Sequence, residues 1–535
     1  MRQRLWDISA LAVVIAVVIA HVSFLLADER IPQDPGLYYR ALPELHAAWS
    51  SGDVATLARG LTESSGWYNA MVGLTMAIFG VSTLAFSLFD ALWVGLILLG
   101  VGLIARQLQG PAAALAAVCL AGSMPVIFLV GRTSWIHTPE TALILLAVAL
   151  WAVDRDLSRW RTALGMALLG MLTIALRPSG MVWTATLVPL LIVQGPRRWR
   201  RIVVVGVAWL VALAVPLQNA QKYMTAKAAA RERYATHLPG LVEQLMSNMG
   251  TLAMAAVALG LLAGLLRRPR RVEPLAVLML CWAGISLGLW VLFQAGMDNF
   301  PLIAPAVAIL GGWGLARLLK PLALLAVPVF ALLYIPQWVP SSSVRFLHRI
   351  PGLGAYIYGG DIRNHYRVYQ RYGWADVEAL QAATCPDRTC RIAIDQGLLE
   401  PFVEDIGELE LFLVQAENIE LISIREGTLP SNLSVDALVE YHCASHSDSQ
   451  WRERFPDSID NLAEVMEGLK MLPVWSRQIS TACTAIWLTP EGVLADPDAL
   501  PTTGERLYNA ILPQHRAEGM KPPMHGDPPL PVVPP

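Results

Sequence analysis

The chain has 535 residues, 55% of them hydrophobic and 15% charged, against roughly 25% charged in an ordinary soluble domain. With a mean hydropathy of +0.48 it has too little polar surface to be soluble throughout. Charge divides it further: up to residue 340 there are 25 Lys and Arg against 15 Asp and Glu, and beyond it 15 against 27, so the two parts are built for different solvents. A basic balance scattered over short loops between apolar runs sets membrane orientation, and it lacks the basic face on one soluble fold that nucleic-acid binding requires, which excludes that class.

Residues 6–27 form an apolar run long enough to span a bilayer, preceded by Arg2 and Arg4 and followed by no clean small-x-small cleavage site. It reads as a retained first helix running from inside to outside. Further runs of spanning length lie at about 84–105, 111–130, 138–153, 160–176, 180–194, 201–218, 248–266, 273–293, 300–318 and 321–338, which makes about eleven transmembrane helices. Residues 66–82 would add a twelfth and invert every later loop. Positive charge decides against it. With eleven spans, the inner loops hold Arg106, then Arg155, Arg159 and Arg161, then Arg197, Arg198, Arg200 and Arg201, then Arg267, Arg268, Arg270 and Arg271, then Arg317 and Lys320. The loops between them are nearly bare. The expectation is a cytoplasmic N-terminus, residues 66–82 as an amphipathic or re-entrant segment at the outer surface, and everything after 339 outside.

Residues 340–520 read as an extracytoplasmic α/β domain, because the strand-like runs 391–395, 419–424 and 484–488 alternate with helix-like segments such as 459–471. Residues 521–535 are a Pro-rich tail that cannot supply a core. Cys119 and Cys281 fall inside apolar runs and read as buried small hydrophobes. The other four cysteines suggest disulfides in a non-cytosolic domain, with Cys385 paired to Cys390 and Cys443 to Cys483 among the three connectivities open to them. Their spacing is a poor match to a zinc ribbon.

Chemistry concentrates in the outer loops. Directly after the first helix come Asp28, Glu29 and Asp34, then the Tyr38-Tyr39 pair, then an amphipathic stretch leading to Glu63. Acids held beside aromatics at a membrane surface suit glycosyl transfer from a phosphate leaving group, which needs a carboxylate to take the acceptor's proton and cations to hold the departing phosphate. The bland reading is that these acids only solvate a loop. A second signature, Gly131 to Glu140, holds Arg132, His137 and Glu140 in the outer turn before the fourth span, where charge is costly and often functional. Arg177 lies at the next outer turn, and residues 219–247 carry Lys222, Lys227, Arg231, Arg233, Tyr234 and His237. Two features read as decoys: Asp154-Arg155-Asp156, on the inner side among arginines, as a solvated loop, and Gly311-Gly312-Trp313-Gly314 as helix packing.

The order of a first helix, an outer loop with an acid followed by tyrosine (Asp34-Pro35-Gly36-Leu37-Tyr38), surface helices ending in Ile78-Phe79-Gly80, and a six-helix run before the next long outer loop resembles the C-type glycosyltransferase superfamily. The nearest relatives in pattern are the protein O-mannosyltransferases and the lipid A aminoarabinose transferases. The resemblance covers the first 340 residues or so and does not reach the C-terminal domain. It implies Asp34 as catalytic base, although Pro35 stands where those families often have Glu. It further implies substrate contacts from Tyr38, Glu63, Arg132, Arg177, Lys222, Arg231 and His237, with a divalent metal or donor phosphate near His137 and Glu140. Asp298-Asn299 stands where relatives carry a polar pair. The implied reaction moves a monosaccharide from a polyprenyl-phosphate carrier to a lipid, glycan or protein acceptor at the outer face of a bacterial inner membrane. Two rivals stand beside it: a transporter or flippase for a lipid-linked substrate, which would show paired repeats and mid-membrane charge, and a catalytically inactive scaffold presenting its outer domain.

Overall fold

A computed structural model of the chain describes residues 2–28, 41–62, 66–124, 126–127, 136–177, 179–194, 198–214, 249–266, 273–293, 302–318, 324, 326–328, 330–331, 388–395, 419–424, 436–440, 472–479 and 482–488. They belong to two compact units, one of Met1–Leu25, Glu44–Gly80 and Leu84–Arg363, the other of Leu26–Pro43, Val81–Thr83 and Asn364–Pro535.

The described helices are α1 (Arg2–Asp28), α2 (Leu42–Ser51), α3 (Val54–Gly60), α4 (Gly66–Phe79), α5 (Thr83–Gln109), α6 (Pro111–Ser123), α7 (His137–Val153), α8 (Trp160–Leu176), α9 (Ser179–Ala185), α10 (Val188–Gln194), α11 (Trp199–Ala212), α12 (Thr251–Leu266), α13 (Pro274–Phe293) and α14 (Ile303–Leu318). Three of them, over Gln3–Val22, Leu84–Gln109 and Pro274–Val291, are long and apolar enough to cross a membrane, and five shorter apolar helices accompany them. On α1 the side chains of Leu5, Ile8, Leu11, Ile15 and Ile19 are exposed while Ala10, Val14, Val17, Ala20 and His21 are buried. An exposed face this apolar is stable against lipid and not against water.

Prolines explain where helices stop short of the apolar runs. The run at 111–130 is interrupted after Ser123, with Met124 extended at ψ 124° because Pro125 disfavours the helical region for the residue before it, and Val126 and Ile127 are helical again. The run at 180–194 is cut into α9 and α10 at Thr186 and Leu187, since Pro189 has no N–H to give the carbonyl of Ala185. Trp282 of α13 seals this break, donating from Nε1 to Thr186 Oγ1 at 2.7 Å. Of the run at 321–338 only residues 324, 326–328 and 330–331 are described.

The register between helices is well fixed. α5 runs antiparallel to α1, joined by Arg106 to both carboxylate oxygens of Asp7 at 2.9 and 3.0 Å and by Gly95 against Val18. It turns into α6 at Gly110, whose φ of +83° suits glycine, with Pro111 opening the next helix. α5 and α7 run parallel: a Cβ on Gly100 would stand 2.9 Å from Leu145 Cβ, and farther along Gln107 and residues Ala152–Asp154 line one cleft of about 500 Å³. α12 crosses α14 with the backbone of Gly260 against Gly311 and Gly314, and Gly312 of α14 meets the backbone of Ala117 on α6. The glycine run of α14 therefore serves close helix packing. Residues 66–82, expected as a surface segment, form α4, which buries Tyr68, Asn69, Val72 and Met76 and exposes Leu74, Ile78 and Phe79. It packs on α2, where Trp49 Nε1 donates to the Ala70 carbonyl at 2.8 Å.

The Asp154-Arg155-Asp156 turn differs from its reading as a solvated loop. Asp154 is buried and accepts from Ser158 N at 2.8 Å, Ser158 Oγ at 2.6 Å and Arg159 N at 2.9 Å, which shapes the entry into α8. Only Asp156 is exposed. Arg155 pairs with Glu273 at 2.6 Å. Cys119 is buried as expected, whereas Cys281 lies on an exposed face of α13.

The second unit contains a five-stranded mixed sheet, β1 (Cys390–Asp395), β2 (Ile419–Ile424), β3 (Ala437–Glu440), β4 (Leu472–Ile479) and β5 (Ala482–Leu488), in the order β2-β1-β3-β5-β4. β1 is parallel to β2 and β3, and β5 is antiparallel to β3 and β4. Arg388 makes a two-pronged pair with Asp436 at 2.9 and 2.6 Å, and Asp436 also accepts from Arg391 N at 2.8 Å, tying the heads of β1 and β3 together. The helix expected at 459–471, Cys385 and Cys443, and the tail at 521–535 lie outside the described residues.

Candidate active site

The only buried arginine or lysine among the described residues is Arg177, and the backbone explains its placement. Pro178 ends α8 by forbidding helical geometry at the preceding residue, so Arg177 is extended, at φ −158° and ψ 143°. The chain then re-enters a helix at Ser179, with Gly180 N donating back to the Arg177 carbonyl at 3.0 Å. A side chain on Gly180 would strike the carbonyl of Thr173, so the Arg-Pro-Ser-Gly sequence is a compact turn that only this residue order allows.

Across from it begins α7. Pro139 is tolerated in the first turn, where the N–H groups have no partner within the helix, and Glu140 gains from the positive end of the helix dipole. α7 and α8 run antiparallel, as the Gly165 to Leu150 approach shows, so the start of one meets the end of the other. Arg177 Nη1 lies against both ring nitrogens of His137, 2.6 Å from Nε2. Glu140 Oε2 is 3.6 Å from His137 Nδ1 and 3.9 Å from Arg177 Nη1. Ser179 Oγ donates to Glu140 Oε1 at 2.6 Å. His137, Glu140 and Arg177 expose 2%, 1% and 6% of their surface. Beside them Thr141 Oγ1 is buried without a hydrogen-bond partner, as is Asn69 Oδ1 on α4.

The structure therefore brings Arg177 to His137 and Glu140, the pair that the sequence singled out within one motif. Asp34, Tyr38, Glu63, Arg132, Lys222, Arg231, His237 and the Asp298-Asn299 pair lie outside the described residues. Two buried or contacting polar residues went unremarked in the sequence. Ser179 carries no signal before its contact with Glu140 is seen. Asp90, 1% exposed in the first third of apolar α5, does carry one, since an ionisable residue inside such a run is costly unless used. A divalent cation does not fit this trio as it stands, because among the described residues no three His, Cys, Asp or Glu side chains converge and the Arg177 guanidinium already faces both His137 and Glu140.

Residues 67–219 match the family described as dolichyl-phosphate-mannose-protein mannosyltransferase. That segment contains the whole buried trio and begins beyond Asp34. No curated protein matches the chain in sequence. Among solved structures, ArnT from Cupriavidus metallidurans in the apo state is similar with a TM-score of 0.50 and 13% identity, over 91% of this chain and 98% of that one. The same protein bound to undecaprenyl phosphate gives 0.49 and 14%, over 90% and 98%. In fold and in the family signature of residues 67–219, the chain resembles the C-type membrane glycosyltransferases, as its loop motifs implied.

Proposed function

We propose that the chain is a membrane glycosyltransferase that moves a monosaccharide from a polyprenyl-phosphate carrier to a lipid, glycan or protein acceptor at the outer face of a bacterial inner membrane. The observation that carries this reading is the buried Arg177–His137–Glu140 layer, set in apolar helices inside the segment that matches the mannosyltransferase family. Replacing a buried ion pair by apolar residues is often neutral or stabilising, so its retention points to use. In the proposed step the Asp34 carboxylate takes the proton of the acceptor hydroxyl or amine. The freed oxygen or nitrogen attacks the anomeric carbon from the face opposite the phosphate, the bond from that carbon to phosphate oxygen breaks, and polyprenyl phosphate departs with inversion. Negative charge grows on the leaving phosphate, and Arg177, with Arg132, Lys222, Arg231 and His237 from the outer loops, stabilises it. Tyr38 orients the sugar, and Glu63 contributes to substrate binding. Glu140 and His137 hold the guanidinium of Arg177, which takes the role a metal would otherwise fill. The sheet of the second unit belongs to an extracytoplasmic domain stapled by Cys385–Cys390 and Cys443–Cys483.

The test is transfer from a panel of labelled polyprenyl-phosphate sugars by membranes holding equal folded amounts of wild type and Asp34→Asn. Transfer by wild type that collapses about a thousandfold in the variant supports both the activity and the base. Transfer surviving in the variant moves the base to Asp28, Glu29 or Glu63, and no transfer from any donor overturns the reading in favour of a transporter or a scaffold.

A further inference from the structure

The mechanism leaves one buried carboxylate unused. Asp90 sits in α5, 1% exposed, in a helix whose other fully buried residues are apolar or small. The parallel register of α5 and α7 fixes its height. Gly100 stands beside Leu145, and Gln107 shares a cleft with Ala152–Asp154, so a constant offset relates the two helices. Counting back along both places Asp90 within about 3 Å of the height of His137, from two residues at 1.5 Å each. Arg177 shares that height through its contact with His137. The ring of Phe89 meets Tyr68 of α4 with centroids 5.7 Å apart, which brings Asn69 to the same level. The charged and titratable groups of this layer among the described residues are then Tyr68 on α4, Asp90 on α5, His137 and Glu140 on α7 and Arg177 after α8, with His21 of α1 approaching from the Val18–Gly95 contact.

We propose that Asp90 is a positioning residue of the same site, a second carboxylate at the height of the His137–Glu140–Arg177 cluster that holds the Arg177 guanidinium in the orientation needed for transfer. This rests on the transferase reading given above. One cation flanked by two carboxylates is held from two sides, and its direction toward an incoming phosphate is set before the phosphate arrives. Asp90 touches no reacting atom, so its loss acts through Arg177.

The experiment uses the purified full-length chain with Asp90→Asn, Asp90→Glu, Arg177→Gln and the Asp90→Asn, Arg177→Gln double variant. Transfer kinetics and thermal midpoints are measured on each. Asp90→Asn is expected to cut kcat about tenfold or more with the donor KM within about twofold, Asp90→Glu to recover most of the rate, and the double variant to be no slower than Arg177→Gln alone. The midpoints form a cycle that needs no activity: removing both charges is expected to leave the protein at least as stable as Arg177→Gln, because one partner's loss is what strands a buried charge. Multiplying rate losses, a Glu variant as slow as the Asn variant, or midpoint falls that simply add would overturn the proposal. Should wild type transfer from no donor, the transferase reading falls by itself, and the midpoint cycle still decides whether Asp90 is coupled to Arg177.

Discussion

At Asp154, burial alone would push the carboxyl up, yet hydrogen bonds from the Ser158 and Thr162 side chains and the backbone N–H groups of Arg159 and Ser158 outweigh it and hold it well below the usual carboxylate range. A depressed folded value means the charged form is favoured by folding. Its stabilisation is complete above the unfolded value near 3.9 and is lost as pH falls through the lower folded one. Asp154→Ala is expected to lower stability by about 2 kcal/mol, whereas Asp156→Ala stays within about 0.5 kcal/mol, readable from thermal midpoints in detergent at pH 7 and converging at low pH. Glu140→Gln should cost more, about 3 kcal/mol, because it strips a buried guanidinium of a carboxylate partner. What the sequence revealed at this scale was residue type beside apolar surroundings. His137, Glu140 and Arg177 were legible because charge and imidazole at span ends are unusual, but their contact was not, since 40 residues separate Arg177 from His137. Asp90 was overlooked because one acid in a run of 27 hardly lowers its mean hydropathy.

Helices were legible nearly end to end where apolar length decides, as in α5, α8 and α13, and misjudged where a proline overrides it. The apolar character of 111–130 and 180–194 hid the stops at Ser123 and Thr186, although Pro125 and Pro189 stand in the sequence to announce them. Strands β1, β2 and β5 were recognisable from β-branched runs. β3 has only four residues and β4 alternates through Trp475, Arg477 and Gln478, so neither stands out before its partner strand is known. The glycine contacts give the sharpest expectation for elements. A side chain on Gly314 would run into the Gly260 carbonyl, while Gly206 of α11 has open space around it. Gly314→Ala is therefore expected to lower stability by about 2 kcal/mol or more as α12 and α14 are forced apart, and Gly206→Ala to be neutral or slightly stabilising, both measured as thermal midpoints.

For the whole molecule, the division of charge at residue 340 falls between α14 and β1, the last described long helix and the first described strand, and the sequence showed it because composition responds to the solvent around each part. The count of eleven spans was not reachable to the same degree, since half-helices such as α9 and α10 share one apolar run. Orientation yields a direct test. Single cysteines placed at Asp53 and at Asp156 in a background lacking Cys281 should react differently with an impermeant maleimide, the first in intact cells and the second only after permeabilisation. Labelling at Asp156 in intact cells, with Asp53 reacting only after permeabilisation, would invert the assigned topology. Reducing and non-reducing gels of the C-terminal part should likewise differ in mobility if its cysteines are bridged.

The length of α8 reaches beyond packing. Its 17 residues, bounded by Arg159 and Arg177, rise about 25 Å, some 5 Å less than a typical hydrocarbon layer, and Leu164 and Leu168 are exposed along it. A bilayer meeting that face has to pinch inward to keep its own chains covered.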